Sequence, residues 1–276
     1  MAITLNDVSI RASSTALNAA RAPEKLGRYY LDFTEILKLI EGDYHGTRDK
    51  DGVPINDVGE QGQHYNVTTI AQYALALHDT ILVSGELPQL REKLQAQLDA
   101  ILVNVESEGE WAGFFVYRWN DTKYPELRAP WVSAMTQGNA ISALLRGYQW
   151  NGDTRLLECA TAAFQALERP LVAGGATLTD ENGHFWLEEY PMNPPSHVLN
   201  GFIFALWVVL DYARVTGSER AWEWWDEGCE TLRAPQRLRL RVLVGLRSIA
   251  PRTGKPVLSR QHSCPAARSD VRADWR

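Results

Sequence analysis

Three stretches of this chain repeat one plan, and that repetition constrains the fold more than any single motif. In each, an apolar run with helical period reaches a Gly, and a polar residue then opens a second amphipathic run. The stretches are Val67–Val105, Ser133–Glu168 and Val198–Leu232, with turn glycines at Gly85, Gly152 and Gly217. Gly takes the left-handed backbone that closes a helix at no steric cost, and Asp153 or Ser218 can cap the helix that follows. Glycine spacings of 67 and 65 residues are too long for tetratricopeptide or HEAT units. The predicted fold class is all-α, an incomplete (α/α) toroid or barrel of helical hairpins whose first helices surround a cleft.

Between the hairpins run two long aromatic connections, Gly109–Trp131 and Leu171–Pro195. Long ordered connections are usually functional. Short β-strands are expected only there, at Trp111–Trp119 and His184–Leu187.

Charge divides the chain. The formal net charge of −6 hides a basic end: from Arg233 to Arg276 there are ten Arg and one Lys against two Asp. Trp275 is the only aromatic residue beyond Arg233, and Pro235, Pro251, Pro256 and Pro265 would break a long basic helix. Arginines without interleaved aromatics do not predict a nucleic-acid surface. The expected organisation is an N-terminal extension over 1–28, a helical domain over 29–232, and a disordered or frame-altered tail over 233–276. A tail of this kind should leave Trp222, Trp224 and Trp225 partly uncovered, which favours self-association, with a homodimer as the candidate assembly.

Other classes fall away quickly. Three cysteines make no disulfide framework, and six scattered histidines have no zinc-ligand spacing, so neither metal nor cofactor is expected. Met1–Ala20 lacks the apolar centre of a signal peptide, and the apolar run Gly201–Leu210 is too short to span a bilayer. A cytoplasmic location with no membrane partner is the expectation. Asp49, Asp51, Gly52, Asp57 and Glu60 miss the EF-hand spacing and read as a turn-rich acidic loop.

The segment from His184 to Gly201 concentrates the candidate chemistry. Glu188, Glu189 and Tyr190 precede Pro191, which favours an extended Tyr190. Side chains alternate faces along an extended run, so Glu188 and Glu189 should not share a site. Ser196 can cap the next helix and Asn200 falls in its first turn. A desolvated Glu with a Tyr on the other face suits proton transfer at carbon. The plainer alternative is a proline-stiffened loop with a solvated acidic pair. Likewise Gln63-His64-Tyr65-Asn66 can line the same cleft or simply start and cap the first repeat helix.

Glu189-Tyr190-Pro191, with Pro194, Val198-Leu199-Asn200-Gly201 and Phe202, resembles the C-terminal helical domain of D-glucuronyl C5-epimerases. Gln63–Leu77 is similar to that family as well, and the likeness runs roughly from Tyr29 to Arg233. The resemblance implies an isomerase that inverts C5 of glucuronate in heparan-type polysaccharides to give iduronate. Glu189 and Tyr190 would be the catalytic pair. Asn200, Tyr65, Asn66, Trp186 and Trp111 would bind an acidic, glucuronate-containing polysaccharide. Family members finish the site with later tyrosines, whereas this chain has no Tyr after Tyr212, so slow turnover is expected. Two alternatives stand beside it. One is a uronate-polymer hydrolase or lyase on an α/α toroid. The other is an inactive carbohydrate-binding remnant using Trp111, Trp119, Tyr124 and Trp186 as stacking surfaces.

Overall fold

The computed structural model describes residues 24–33, 37–38, 41–42 and 47–234. Six α-helices form three hairpins: α1 (Val67–Ser84) with α2 (Pro88–Val103), α3 (Ala134–Asn151) with α4 (Thr154–Ala166), and α5 (Leu199–Thr216) with α6 (Glu219–Arg233). The caps follow the local sequence. Asn66, Ser133, Asp153 and Ser218 each accept a backbone N–H from the turn that follows, and Pro88 opens α2, where a missing N–H costs nothing. Gly152 and Gly217 close α3 and α5 in the left-handed region, with φ of 75° and 72°. Gly85 differs: its φ is 86° but its ψ is 167°, so the chain leaves α1 extended and reaches Pro88 without a left-handed cap.

The helices form two layers. α1, α3 and α5 lie side by side with α3 in the middle, and each outer helix folds back on its predecessor. Most of α5 is buried, Asp211 and Arg214 included, because it packs against both α3 and α6. The outer helices are amphipathic, α6 for instance burying Ala221, Trp222, Trp224 and Gly228. α5 is long and apolar enough to cross a membrane by length and composition, yet 61% of it is buried inside the protein, as in a core helix.

Strands occur in one place that sequence reasoning did not anticipate. β1 (Thr47–Arg48), β2 (Pro54–Asp57) and β3 (Gln63–His64) make a small antiparallel meander before the first hairpin. Its tight turn is organised by Asp49, whose Oδ1 accepts from the N–H groups of Asp51 and Val53 at 2.9 Å. β4 (Thr177–Thr179) pairs with β5 (Phe185–Leu187) in the second aromatic connection, as expected. The first connection has only the bridges Val105–Phe115 and Tyr117–Trp131.

The expectation of uncovered tryptophans is corrected. Trp222 and Trp224 are buried, Trp224 against Phe164 and Phe185, because α6 tucks its aromatic face beneath α5 and β5. Only Trp225 stays partly exposed. The tail from residue 235 lies outside the described residues.

Residues 24–33 pack onto one end of the inner layer. Glu24 N–H donates to the Arg214 carbonyl, Leu26 N–H to Gln149, and Tyr29 N–H to Asp79 Oδ1. Packing among the described residues therefore starts before Tyr29. Beneath this segment lies a buried polar knot. Arg146 Nη1 is 2.5 Å from Asp211 Oδ2, with both side chains almost fully excluded from solvent. Tyr30 and Ser142 hydroxyls donate to the same carboxylate at 2.7 Å, and the Arg146 guanidinium lies against the rings of Tyr29 and Tyr30.

Candidate active site

Because outer helices return the chain between them, the three inner helices run parallel and their N-termini share one end of the bundle. There Thr68 Oγ1 of α1 lies 2.7 Å from Thr136 Oγ1 of α3. The carbonyl of Glu188, just past β5, accepts from Ala134 N–H at the start of α3. Parallel helix N-termini place unsatisfied N–H groups and positive dipole ends at one mouth, a setting that favours an anion.

The first aromatic connection arches over this mouth. Tyr117 drops its hydroxyl between the helix ends, 2.7 Å from Thr136 Oγ1, 3.0 Å from Thr68 Oγ1 and 3.3 Å from Asn66 Oδ1. Its ring stacks on Trp131 at 4.1 Å, Trp131 faces Tyr190 at 6.2 Å, and Tyr190 leans on Tyr124 at 4.7 Å. Lys123 holds its ammonium 5.4 Å from the Tyr124 ring centre. On the other side Trp119 meets Tyr117 edge-on and stacks on His64 at 4.6 Å.

Glu189 sits under this arch. It is 3% exposed, and its Oε2 is buried without a hydrogen-bond partner, as is Asn200 Oδ1. Burial pushes the Glu189 carboxyl up to about 7, while the Tyr190 hydrogen bond and the Lys123 charge pull the other way and Asp121 and Glu188 add to the rise. Burial, and then the adjacent Glu189 carboxylate, raise the Tyr190 phenol. Burial also raises the Tyr117 phenol. The solvated acidic pair is therefore overturned: Glu188 is 1% exposed and hydrogen-bonded to Ser196 and His197, and Glu189 is buried against Gly201.

Gly201 makes room for this arrangement. A Cβ at that position would overlap Oε2 and Cβ of Glu189, so the carboxylate lies directly on the first turn of α5. Gly201→Ala should force Glu189 aside, costing about 1–3 kcal/mol by overpacking. Urea unfolding of the variant measures the cost; stability within error of the wild type would mean that Glu189 moves freely.

Over residues 105–238 the chain matches the family model described as D-glucuronyl C5-epimerase C-terminus, a span holding Tyr117, Lys123, Thr136, Glu189, Tyr190 and Asn200. It is 30% identical over 181 residues to the D-glucuronyl C5-epimerase of Caenorhabditis elegans, covering 64% of this chain and 28% of that relative. Across this span the chain is similar to the D-glucuronyl C5-epimerase C-terminal family. It is also 30% identical over 149 residues to an uncharacterized protein of Methanocaldococcus jannaschii, covering 52% of this chain and 47% of the relative. The chain thus spans less than half the length of either curated relative.

The residues singled out from sequence part ways in the structure. Glu189, Tyr190, Asn200 and Asn66 gather at the helix ends. Tyr65 alternates away from Asn66, because the chain is extended there. It donates to Asp49 Oδ2 at 3.0 Å and lines a separate groove with Asp99, Glu92 and Lys93. Trp186 is 1% exposed, packed between His197 and Phe202, and presents no open face for a sugar. Trp111 packs on Phe114 and Arg169, apart from the aromatic cluster around Tyr190. Ser196 does not cap α5, whose N-cap is Val198 without a side-chain bond; the serine hydroxyl turns to Glu188 instead.

Sequence reasoning missed Tyr117, Thr68, Thr136, Trp131 and Lys123. Tyr117 and Trp119 lie two residues apart around Arg118 on a short extended run, a signal that could have placed both on one face. Among the described residues no group of three His, Cys, Asp or Glu is placed to hold a metal.

Proposed function

We propose that this chain is an epimerase-like protein that acts on glucuronate residues of an acidic polysaccharide, inverting C5 to give iduronate. The observation that carries the reading is Glu189, a buried carboxylate with an unpartnered oxygen and a carboxyl pushed up to about 7. A general base works best with such a value near the operating pH. In this reading the three hairpins are part of an (α/α) toroid, with α1, α3 and α5 lining its cleft.

The hydrogen on C5 is weakly acidic because it lies alpha to a carboxylate that already carries charge. Glu189 takes the proton, and the C–H electron pair moves into the sugar carboxylate as an enediolate. Three helix N-termini, Asn200 and the Lys123 ammonium favour that anion over its neutral surroundings. A uronate carboxylate entering the pocket competes for the Tyr190 hydroxyl and frees the lone pairs of Glu189. Reprotonation on the opposite face completes inversion and leaves the atoms of the sugar unchanged. Tyr190, the other half of the catalytic pair, is the donor in this reading and regains its proton from solvent.

The test is incubation with heparosan in deuterium oxide. Expected are deuterium at C5, iduronate in the product and unchanged chain length. Shortened chains with ultraviolet-absorbing unsaturated ends would replace the epimerase reading with a lyase. Binding with no exchange would overturn catalysis altogether.

A further inference from the structure

The unused partner in the acidic pair is Glu188, whose environment is unlike that of a spectator. Its backbone is pinned on both sides, N–H to the Ala176 carbonyl at 2.7 Å and C=O from Ala134 N–H at 2.9 Å. Its side chain, almost fully excluded from solvent, reaches across the turn that separates β5 from α5. Oε2 accepts from Ser196 N–H at 3.2 Å and from His197 N–H at 3.0 Å. The Ser196 hydroxyl lies 2.5 Å from Oε2 and 2.9 Å from the Tyr190 carbonyl, so its single proton serves both. His197 Nδ1 is 2.8 Å from Oε1, at ion-pair distance though out of line for a hydrogen bond.

This clamp holds an unfavourable backbone. His197 has φ of 46°, a left-handed value that is unfavourable for a side-chain-bearing residue. Such conformations persist where surroundings over-determine them, and they gather at functional sites. Here the two acceptor oxygens of Glu188 and the Trp186 ring, 4.3 Å from the imidazole, fix the residue. Two positions further on α5 begins, and Gly201 in its first turn meets Glu189.

We propose that Glu188 is a positioning residue of the candidate site. Through Ser196 and the Tyr190 carbonyl it fixes the turn, and so holds Glu189 dry against the first turn of α5. The two glutamates are complementary, Glu188 turned to the clamp and Glu189 to the first turn of α5. The inference rests on the proposed acid–base role of Glu189.

The test is a 13C NMR titration of the Glu189 carboxyl in the wild type and in the Glu188→Gln, Ser196→Ala and Ser196→Thr variants. Ser196→Ala is decisive, because it loosens the clamp without altering charge, whereas Glu188→Gln also removes a like charge beside Glu189. In the wild type the carboxyl should titrate near 7. In Ser196→Ala it should fall by at least about one pH unit as water enters, and Ser196→Thr should restore it. A merely structural clamp would lower the melting temperature and leave this titration in place, and that result in folded Ser196→Ala overturns the inference alone. A wild-type Glu189 titrating in the ordinary carboxylate range would sink the acid–base reading and the inference with it.

Discussion

Replacing Arg146 by Met is expected to cost about 3–5 kcal/mol of folding stability. The guanidinium is 1% exposed and its Asp211 partner 0%. Removing it leaves a carboxylate in the centre of the inner layer, still held by the Tyr30 and Ser142 hydroxyls but with no compensating charge. The cost comes from stranding that charge more than from losing the pair's attraction, since desolvation offsets much of the attraction. The double variant Arg146→Met with Asp211→Leu should therefore recover most of the loss. Urea unfolding with the midpoint compared at constant slope measures both. A single variant within about 1 kcal/mol of the wild type would show that water reaches Asp211, contrary to its burial.

Glu189→Gln should move activity and stability in opposite directions. A positioned general base typically contributes about 100- to 10,000-fold, so C5 exchange should fall by that order. In the wild type, exchange should rise with pH through about 7, as Glu189 loses its proton. Stability carries the reverse dependence. The folded value lies above the ordinary 4.5, so the folded state holds this proton more tightly than the unfolded chain does. The resulting stabilisation is complete below the unfolded value and is lost as pH rises through about 7, amounting to about 3 kcal/mol. Gln has no proton to lose. Melting temperatures should coincide near pH 4.5, and the variant should lie above the wild type at pH 8. Equal curves at both pH values would remove the desolvated carboxylate, and loss of exchange could then not be assigned to a base.

The hairpins were legible because their information is local. Apolar period, turn glycine and cap lie within one stretch of chain, and Gly152 and Gly217 adopt the backbone that their position requires. The meander over 47–64 was not, because strands of two to four residues leave no period to count. In the site, Glu189 and Asn200 were legible from Pro191 and the family motif, which are close in sequence. Tyr65 was misplaced because alternation was applied to Glu188 and Glu189 but not to Tyr65 and Asn66. Trp186 was misjudged because composition cannot distinguish an open aromatic face from a packed one. Tyr117, Thr68 and Thr136 meet only across chain separations of 19 to 68 residues, which no local pattern reports.

The attachment of residues 24–33 also bears on how the protein is made. Tyr30 bonds Asp211 across 181 residues and Glu24 pairs with Arg214 across 190. This segment leaves the ribosome well before the α5 surface that receives it. At about 5–20 residues per second, roughly 10–40 s pass before the α5 partners emerge. During that interval the first two hairpins can close on local contacts, while Tyr29, Tyr30 and Phe33 wait without the helix that buries them. Until α5 emerges the nascent chain carries an aromatic segment without part of its cover, and the third hairpin completes the surface on which residues 24–33 dock.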